Sequence, residues 1–86
     1  MIVELTYEIF PTDDAESNWH YRIFLNVPEN GQQYVSVYYG PDILSNQDAV
    51  YFAKDIIKRL KDGRGDFSVI FPRFCDKYPG VKLEVI

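Results

Sequence analysis

The sequence predicts one α+β domain over residues 1–86, a two-layer fold in which a mainly antiparallel sheet packs against one amphipathic helix. Three observations lead to this prediction. Apolar and polar residues alternate through the N-terminal half, a helical apolar stripe follows a Gly-Pro break near residue 40, and alternation returns at the C-terminus. The predicted element order is β-β-β-α-β-β, and 86 residues are enough to enclose a single core.

The first two strands are predicted from strict alternation of apolar and polar side chains. Residues 3–9 change character at every position, which is typical of a half-buried strand, and Pro11 ends this segment. A polar loop over residues 12–18 leads to the second strand. The core face of the second strand is predicted to carry Trp19, Tyr21, Ile23, Leu25 and Val27.

A turn at residues 28–31, Pro-Glu-Asn-Gly, leads into a third strand from about Gln33 to Tyr39. A three-residue loop with a left-handed Gly31 pairs the apolar residues of the two strands: Tyr21–Tyr39, Ile23–Val37 and Leu25–Val35. A two-residue Asn-Gly turn shifts every pair by one residue and moves the valines to the other face. The three-residue loop is preferred because it places Val35 and Val37 beneath the helix.

The helix is predicted to begin after Gly40-Pro41 and to end near Asp62. Ser45 and Asp48 have the spacing of a capping box, and Gly63 follows the helix as a stop signal. Apolar residues recur at helical spacing and form one stripe: Ala49, Phe52, Ala53, Ile56, Ile57 and Leu60.

Two further strands are predicted after the helix. Phe67 to Phe71 is apolar and short, and Pro72 closes it. Arg73 to Gly80 is predicted to be a loop or a single helical turn. Val81 to Val85 alternates again and forms the last predicted strand.

The face of the sheet away from the helix is the candidate interaction surface. Aromatic residues make up 16% of the chain, more than its core needs, and tyrosine is enriched at protein interfaces. On the predicted register this face combines Phe24, Tyr34 and Tyr38 with Arg22 and His20. Two interpretations stay open: cross-strand aromatic packing that stabilises the sheet, or contact with a second copy or a foreign protein.

Charge is distributed unevenly along the chain. Residues 1–48 hold eight acids and one base, and residues 49–86 hold eight bases and five acids, which gives −7 and +3 within a net charge of −4. Asp13, Asp14 and Glu16 form an acidic loop. This loop is either a solvated hairpin tip or a negative surface for a basic partner. Its spacing matches no cation-binding loop, so we predict no metal and no cofactor.

No catalytic motif is present, and we therefore predict that the protein is not an enzyme. His20 and Cys75 are its only nucleophile-and-base candidates, and neither lies in a catalytic signature. A lone cysteine, no basic segment before the first apolar residues and no long apolar run together predict a cytoplasmic protein that does not enter membranes. Nucleic-acid binding through the helix bases, Lys54, Lys58, Arg59, Lys61 and Arg64, is unfavoured at a pI of about 4.7.

The leading functional hypothesis is a small acidic protein-interaction module. It is either a homo-oligomer, most simply a dimer, or an inhibitor-like binder of a larger protein. A small-ligand protein or minor enzyme with an aromatic-lined site is the first alternative, and nucleic-acid binding is the second. The short, acidic, aromatic-rich profile is typical of accessory proteins of mobile genetic elements, although no motif connects the chain to a family.

Overall fold

In a computed structural model that describes residues 1–11, 19–39 and 43–86, three long strands precede three helices and a short final strand. The elements are β1 (Ile2–Pro11), β2 (Trp19–Val27), β3 (Gln32–Tyr39), α1 (Asn46–Lys61), α2 (Phe67–Ile70), α3 (Pro72–Lys77) and β4 (Glu84–Val85). The four strands make one mixed sheet with α1 packed against it, so the predicted α+β fold class is confirmed.

The sheet has the spatial order β3-β2-β1-β4. β1 and β2 are antiparallel, with Leu5 opposite Leu25, and β2 and β3 are also antiparallel. β4 runs parallel to β1 and pairs only with Ile2 and Val3. One long strand, β3, therefore lies at an edge of the sheet, and most of β1 has no strand on its outer side among the described residues.

The register between β2 and β3 differs from both predicted alternatives. The turn is four residues long, and it pairs Leu25 with Tyr34 rather than with Val35. The carbonyl of Val27 accepts the backbone N–H groups of both Asn30 and Gly31, at 3.3 and 2.9 Å, which lengthens the turn. Gly31 adopts the left-handed conformation that this turn requires, with φ of +70°.

Contacts from the C-terminal helices also favour the observed register. Tyr34 and Tyr78 both donate their hydroxyl groups to Oε1 of Gln32, each at 3.1 Å. The amide of Asn30 donates to the Tyr78 hydroxyl at 3.1 Å. Tyr78, which follows α3, is therefore attached both to the turn and to the start of β3. The sequence pattern does not reveal the two contacts of Tyr78, because they join residues more than forty positions apart.

The helix α1 forms as its local signals predict. Oγ of Ser45 accepts the backbone N–H of Asp48 at 3.1 Å, which satisfies one of the free donors at the helix start. The helix ends at Lys61, and Gly63 follows with φ of +74°. Its buried side chains, Ala49, Ala53 and Leu60, are small enough at the first two positions to bring the helix close to the sheet.

The predicted fourth strand is wrong, because residues 67–70 form the short helix α2. Asp66 caps it: Oδ1 accepts the backbone N–H of Ser68 at 2.9 Å and the Ser68 hydroxyl at 2.6 Å. These two bonds, the hydroxyl first, lower the pKa of the Asp66 carboxyl. Pro72 then starts α3 at a position where its missing N–H costs nothing. The Asp66 cap of α2 and the proline that begins α3 together outweigh the strand propensity of this apolar segment.

The last predicted strand is present but shorter than expected, since only Glu84 and Val85 pair with β1. The helix side of the sheet holds the core, which comprises Val3, Leu5, Tyr21, Ile23, Leu25, Val27, Ile43, Ala49, Ala53, Leu60, Phe71 and Phe74. The opposite face carries no helix among the described residues. Nor does any helix in the described part of the chain have the length and apolar character needed to cross a bilayer.

Candidate functional site

Three of the predicted surface residues lie together on the uncovered face of the sheet. Nη1 of Arg22 donates to Oε1 of Glu8 at 2.9 Å, and its guanidinium lies 4.2 Å from the centre of the Phe10 ring. Phe10 in turn meets His20 edge-to-face, with ring centres 5.4 Å apart. Phe24 is half-buried beside this group, next to Thr6 and Val35 on the neighbouring strands. Part of the predicted surface is therefore an internally packed array of side chains.

Tyr34 and Tyr38 do not belong to that face, and this part of the predicted surface is wrong. The observed register turns both tyrosines toward the helices. The Tyr34 ring packs edge-to-face on Phe74 at 5.3 Å, and the Tyr38 ring stacks on Tyr21 at 5.1 Å. In consequence Val35 and Val37 occupy the uncovered face, where they are 49% and 37% exposed. The predicted acidic tip, Asp13, Asp14 and Glu16, lies outside the described residues.

The outer edge of β3 is the most unusual surface of the described chain. No described backbone group other than those of β2 forms a hydrogen bond with residues 32–39 within a sheet or loop. The strand holds eight residues, Gln32 to Tyr39, with no charge and no proline. Proteins usually protect such an edge with lysine, proline or a covering segment, because its free N–H and C=O groups pair readily with another chain.

The sequence of β3 is also symmetric about its centre. Residues 34–38 read Tyr-Val-Ser-Val-Tyr, which is the same in both directions around Ser36. If two copies pair antiparallel about a two-fold axis at Ser36, each valine lies opposite a valine and each tyrosine opposite a tyrosine. This symmetry is visible in the sequence, but its meaning depends on the strand lying at an edge, which the sequence does not reveal.

Three exposed apolar side chains lie on this edge strand. Val35 and Val37 lie on the uncovered face, and Tyr38, 47% exposed, lies on the helix side of the same strand. Tyr38 borders a groove of about 360 Å³ together with Tyr21, Ile43 and Phe52, which is the aromatic-lined space that the small-ligand hypothesis requires.

Protein-family models, curated proteins and solved structures were compared with the chain, and none of them matches it. Its function therefore has to be inferred from the chemistry of its own surfaces.

The structure separates the two residues of the weak catalytic hypothesis. His20 lies on the uncovered face of the sheet, whereas Cys75 lies on α3 and packs against the core on the helix side. Burial, with smaller contributions from Asp66 and Asp76, raises the pKa of the Cys75 thiol, which disfavours the reactive thiolate. Within the described ranges no three side chains of the metal-ligating types cluster together.

The raised pKa of Tyr21 predicts how the stability of the protein depends on pH. Burial first, and then the neighbouring Tyr38 and Asp55, raise the pKa of Tyr21 from 10.0 to about 12. Below pH 10 both the folded and the unfolded chain keep this proton. Between pH 10 and 12 only the unfolded chain releases it, so the free energy of unfolding should fall by roughly 2–3 kcal/mol across this range.

Urea unfolding at matched pH values measures this effect, with Tyr21→Phe as the control that keeps the ring and removes the hydroxyl. The two proteins differ only in this hydroxyl group, so the difference between their two curves isolates Tyr21. The difference should be constant below pH 10 and should favour the phenylalanine variant increasingly above it. Parallel curves from neutral pH to pH 12 would show that the hydroxyl is not desolvated in the folded chain.

Proposed function

We propose that the protein is a non-enzymatic interaction module that forms a symmetric homodimer through the free edges of two β3 strands. The observation that supports this proposal most directly is the uncharged, eight-residue edge whose central sequence is the same in both directions. An isologous interface needs a surface that complements itself, and a symmetric strand sequence provides one.

Pairing about Ser36 would join two four-stranded sheets into one continuous sheet. On the uncovered side, Val35 of one copy would lie opposite Val37 of the second copy, and this contact occurs twice. On the helix side, Tyr34 would lie opposite Tyr38 of the second copy, adding aromatic contacts to the valine pairs. Because opposite residues of an antiparallel pair lie on the same face, the uncovered faces of both copies would lie on one side of the joined sheet.

The absence of charge along β3 favours this pairing. The chain carries a net charge of −4, so two copies repel each other weakly at long range. Like charges placed opposite each other in a sheet are destabilising, and β3 holds none. A foreign strand could use the same backbone groups, but the symmetric sequence specifically favours a second copy as the partner.

Sedimentation velocity over a wide range of protein concentration tests the proposal. We expect the sedimenting mass to reach that of two 10.1 kDa chains and to fall toward one chain on dilution. Hydrogen exchange of the same samples should show amides of residues 33–39 protected at high concentration and less protected at low concentration. A single-chain mass at every concentration would overturn the homodimer and leave β3 as an edge for a foreign strand.

A further inference from the structure

A second free edge lies on the opposite side of the sheet. β4 pairs with Ile2 and Val3 only, whereas β1 continues to Pro11. Beyond Val3, no described backbone group bonds to the side of β1 that faces away from β2. This edge differs from that of β3 because a helix lies beside it. The helix α1 runs along the core side of β1, and a groove separates α1 from β1.

The groove between β1 and α1 has a volume of about 450 Å³. Its apolar part comes from Leu5 and Tyr7 on the strand and Ile57 on the helix. Tyr7 is 37% exposed, which is unusual for the core side of a strand in so small a domain. The groove therefore exposes apolar surface next to unpaired backbone groups.

Three lysines border the groove on its helix side. Lys54, Lys58 and Lys61 follow each other at helical spacing, so all three lie on one face of α1. None of them takes part in an ion pair within the described part of the chain. The neighbouring arginines differ, since Arg59 pairs with Asp55 and Arg64 pairs with Asp62, each at 3.1 Å. Among the described residues, three lysines without an ion pair therefore border the groove, and the one acid that lines it, Asp62, is paired with Arg64.

These features specify the chemistry of an occupant. Unpaired N–H and C=O groups along β1 are satisfied by an extended backbone, which neither a lipid nor a nucleic acid supplies. The row of lysines requires negative charge on the side chains that point toward α1. On the other face the occupant would lie near the exposed Glu4 and Glu8, where uncharged side chains fit best.

We propose that this groove binds an extended, acidic segment of a partner protein, which adds to the sheet as a strand beside β1. Side chains of such a segment alternate between the two faces, so acidic residues at every second position would all point toward the lysines. The site lies at the opposite edge from β3 and goes beyond the proposed homodimer, because its occupant differs from this chain in chemistry.

A labelled peptide of about six residues that alternates glutamate with valine is the probe. We expect fluorescence anisotropy to show saturable binding that weakens as ionic strength rises. A peptide in which lysine replaces glutamate should not bind, and a central proline in the glutamate peptide should reduce binding strongly, since it removes a backbone donor. Amide chemical shifts should change in residues 4–9 and along α1, and not along β3.

Substitution of the lysines tests the charge requirement with a matched control. The triple variant Lys54→Gln, Lys58→Gln and Lys61→Gln should bind the glutamate peptide roughly ten-fold more weakly. The control removes three positive charges elsewhere, with Arg73→Gln, Lys77→Gln and Lys82→Gln, and should leave the affinity nearly unchanged. All six side chains are exposed, so melting temperatures should show that both variants remain folded.

Two outcomes would overturn the proposal. One is equal binding of the glutamate and lysine peptides, or equal loss in the two triple variants, because either shows a non-specific charge effect. The other is tighter binding of an oligothymidylate than of the glutamate peptide, which would assign the lysines to nucleic acid. A chain that is monomeric in sedimentation but binds the peptide would refute the homodimer alone, so the two proposals fail separately.

Discussion

Replacing Phe74 with alanine should destabilise the protein by about 3–5 kcal/mol, a large share of the stability of so small a domain. The Phe74 side chain is completely buried, and its ring contacts both Tyr34 and Tyr78 at 5.3 Å. It is thus the main apolar link between α3 and β3. Truncation would leave a cavity between α3 and β3, which share few other contacts.

Urea unfolding followed by circular dichroism measures the loss. Phe74→Leu should cost less, since leucine fills part of the cavity, and this variant keeps the test informative if the alanine variant does not fold. Val69→Ala is the control from the adjoining helix, because its side chain is 74% exposed, and it should change the free energy of unfolding by no more than about 0.5 kcal/mol. Similar losses for Phe74→Ala and Val69→Ala would mean that α3 does not pack on the sheet.

The segment that precedes Phe74 was predicted wrongly although its helix signals are present in the sequence. Residues 67–71 form a short apolar run that Pro72 closes, and the strand prediction rests on that pattern. Asp66 and Pro72 are helix-start signals on either side of it, and both are readable locally. The apolar run predicts a strand, whereas the Asp66 cap and the Pro72 helix start predict helices, so the error lies in the choice between local rules and not in missing information.

The register of β3 is a different case. Local sequence favoured valines beneath the helix, because Val35 and Val37 are more apolar than the tyrosines beside them. The structure places Tyr34 there because Phe74, Tyr78 and Gln32 give its ring and hydroxyl group partners. Phe74 and Tyr78 lie about forty positions away in the sequence, so a local sequence pattern does not predict their contacts with β3. By contrast β1 and α1 were predictable, since alternation and a capping box are properties of the segments themselves.

The candidate site was only partly predictable for the same reason. An interaction surface on the sheet was expected, with Phe24, Tyr34 and Tyr38 on one face. Two further strands were also expected, over residues 67–71 and 81–85. Residues 67–70 form a helix instead and the last strand pairs with β1, so β3 lies at the edge of the sheet. The symmetric sequence about Ser36 becomes significant only because β3 lies at the edge, and that edge position is set by long-range topology.

Introducing lysine at both valines of β3 should abolish the proposed homodimer. In the pairing about Ser36, position 35 of each copy lies opposite position 37 of the other. The double variant Val35→Lys and Val37→Lys therefore places lysine opposite lysine twice and removes the apolar contacts. We expect the dissociation constant to rise roughly a hundred-fold or more. Both side chains lie on the uncovered face and are at least 37% exposed, so the monomer should stay folded.

The double variant Val35→Lys and Val37→Glu tests the register itself. With position 35 opposite position 37, each lysine faces a glutamate, and the dissociation constant should return to within roughly ten-fold of that of the unmodified chain. If the strands paired with position 35 opposite position 35, the same variant would oppose like charges and would stay monomeric. Val69→Lys adds an exposed lysine on α2, outside the interface, and should leave the dimer intact. Sedimentation velocity of the four proteins distinguishes these results: rescue by the lysine–glutamate pair supports dimerisation about Ser36, whereas failure of rescue excludes that register even if the chain dimerises.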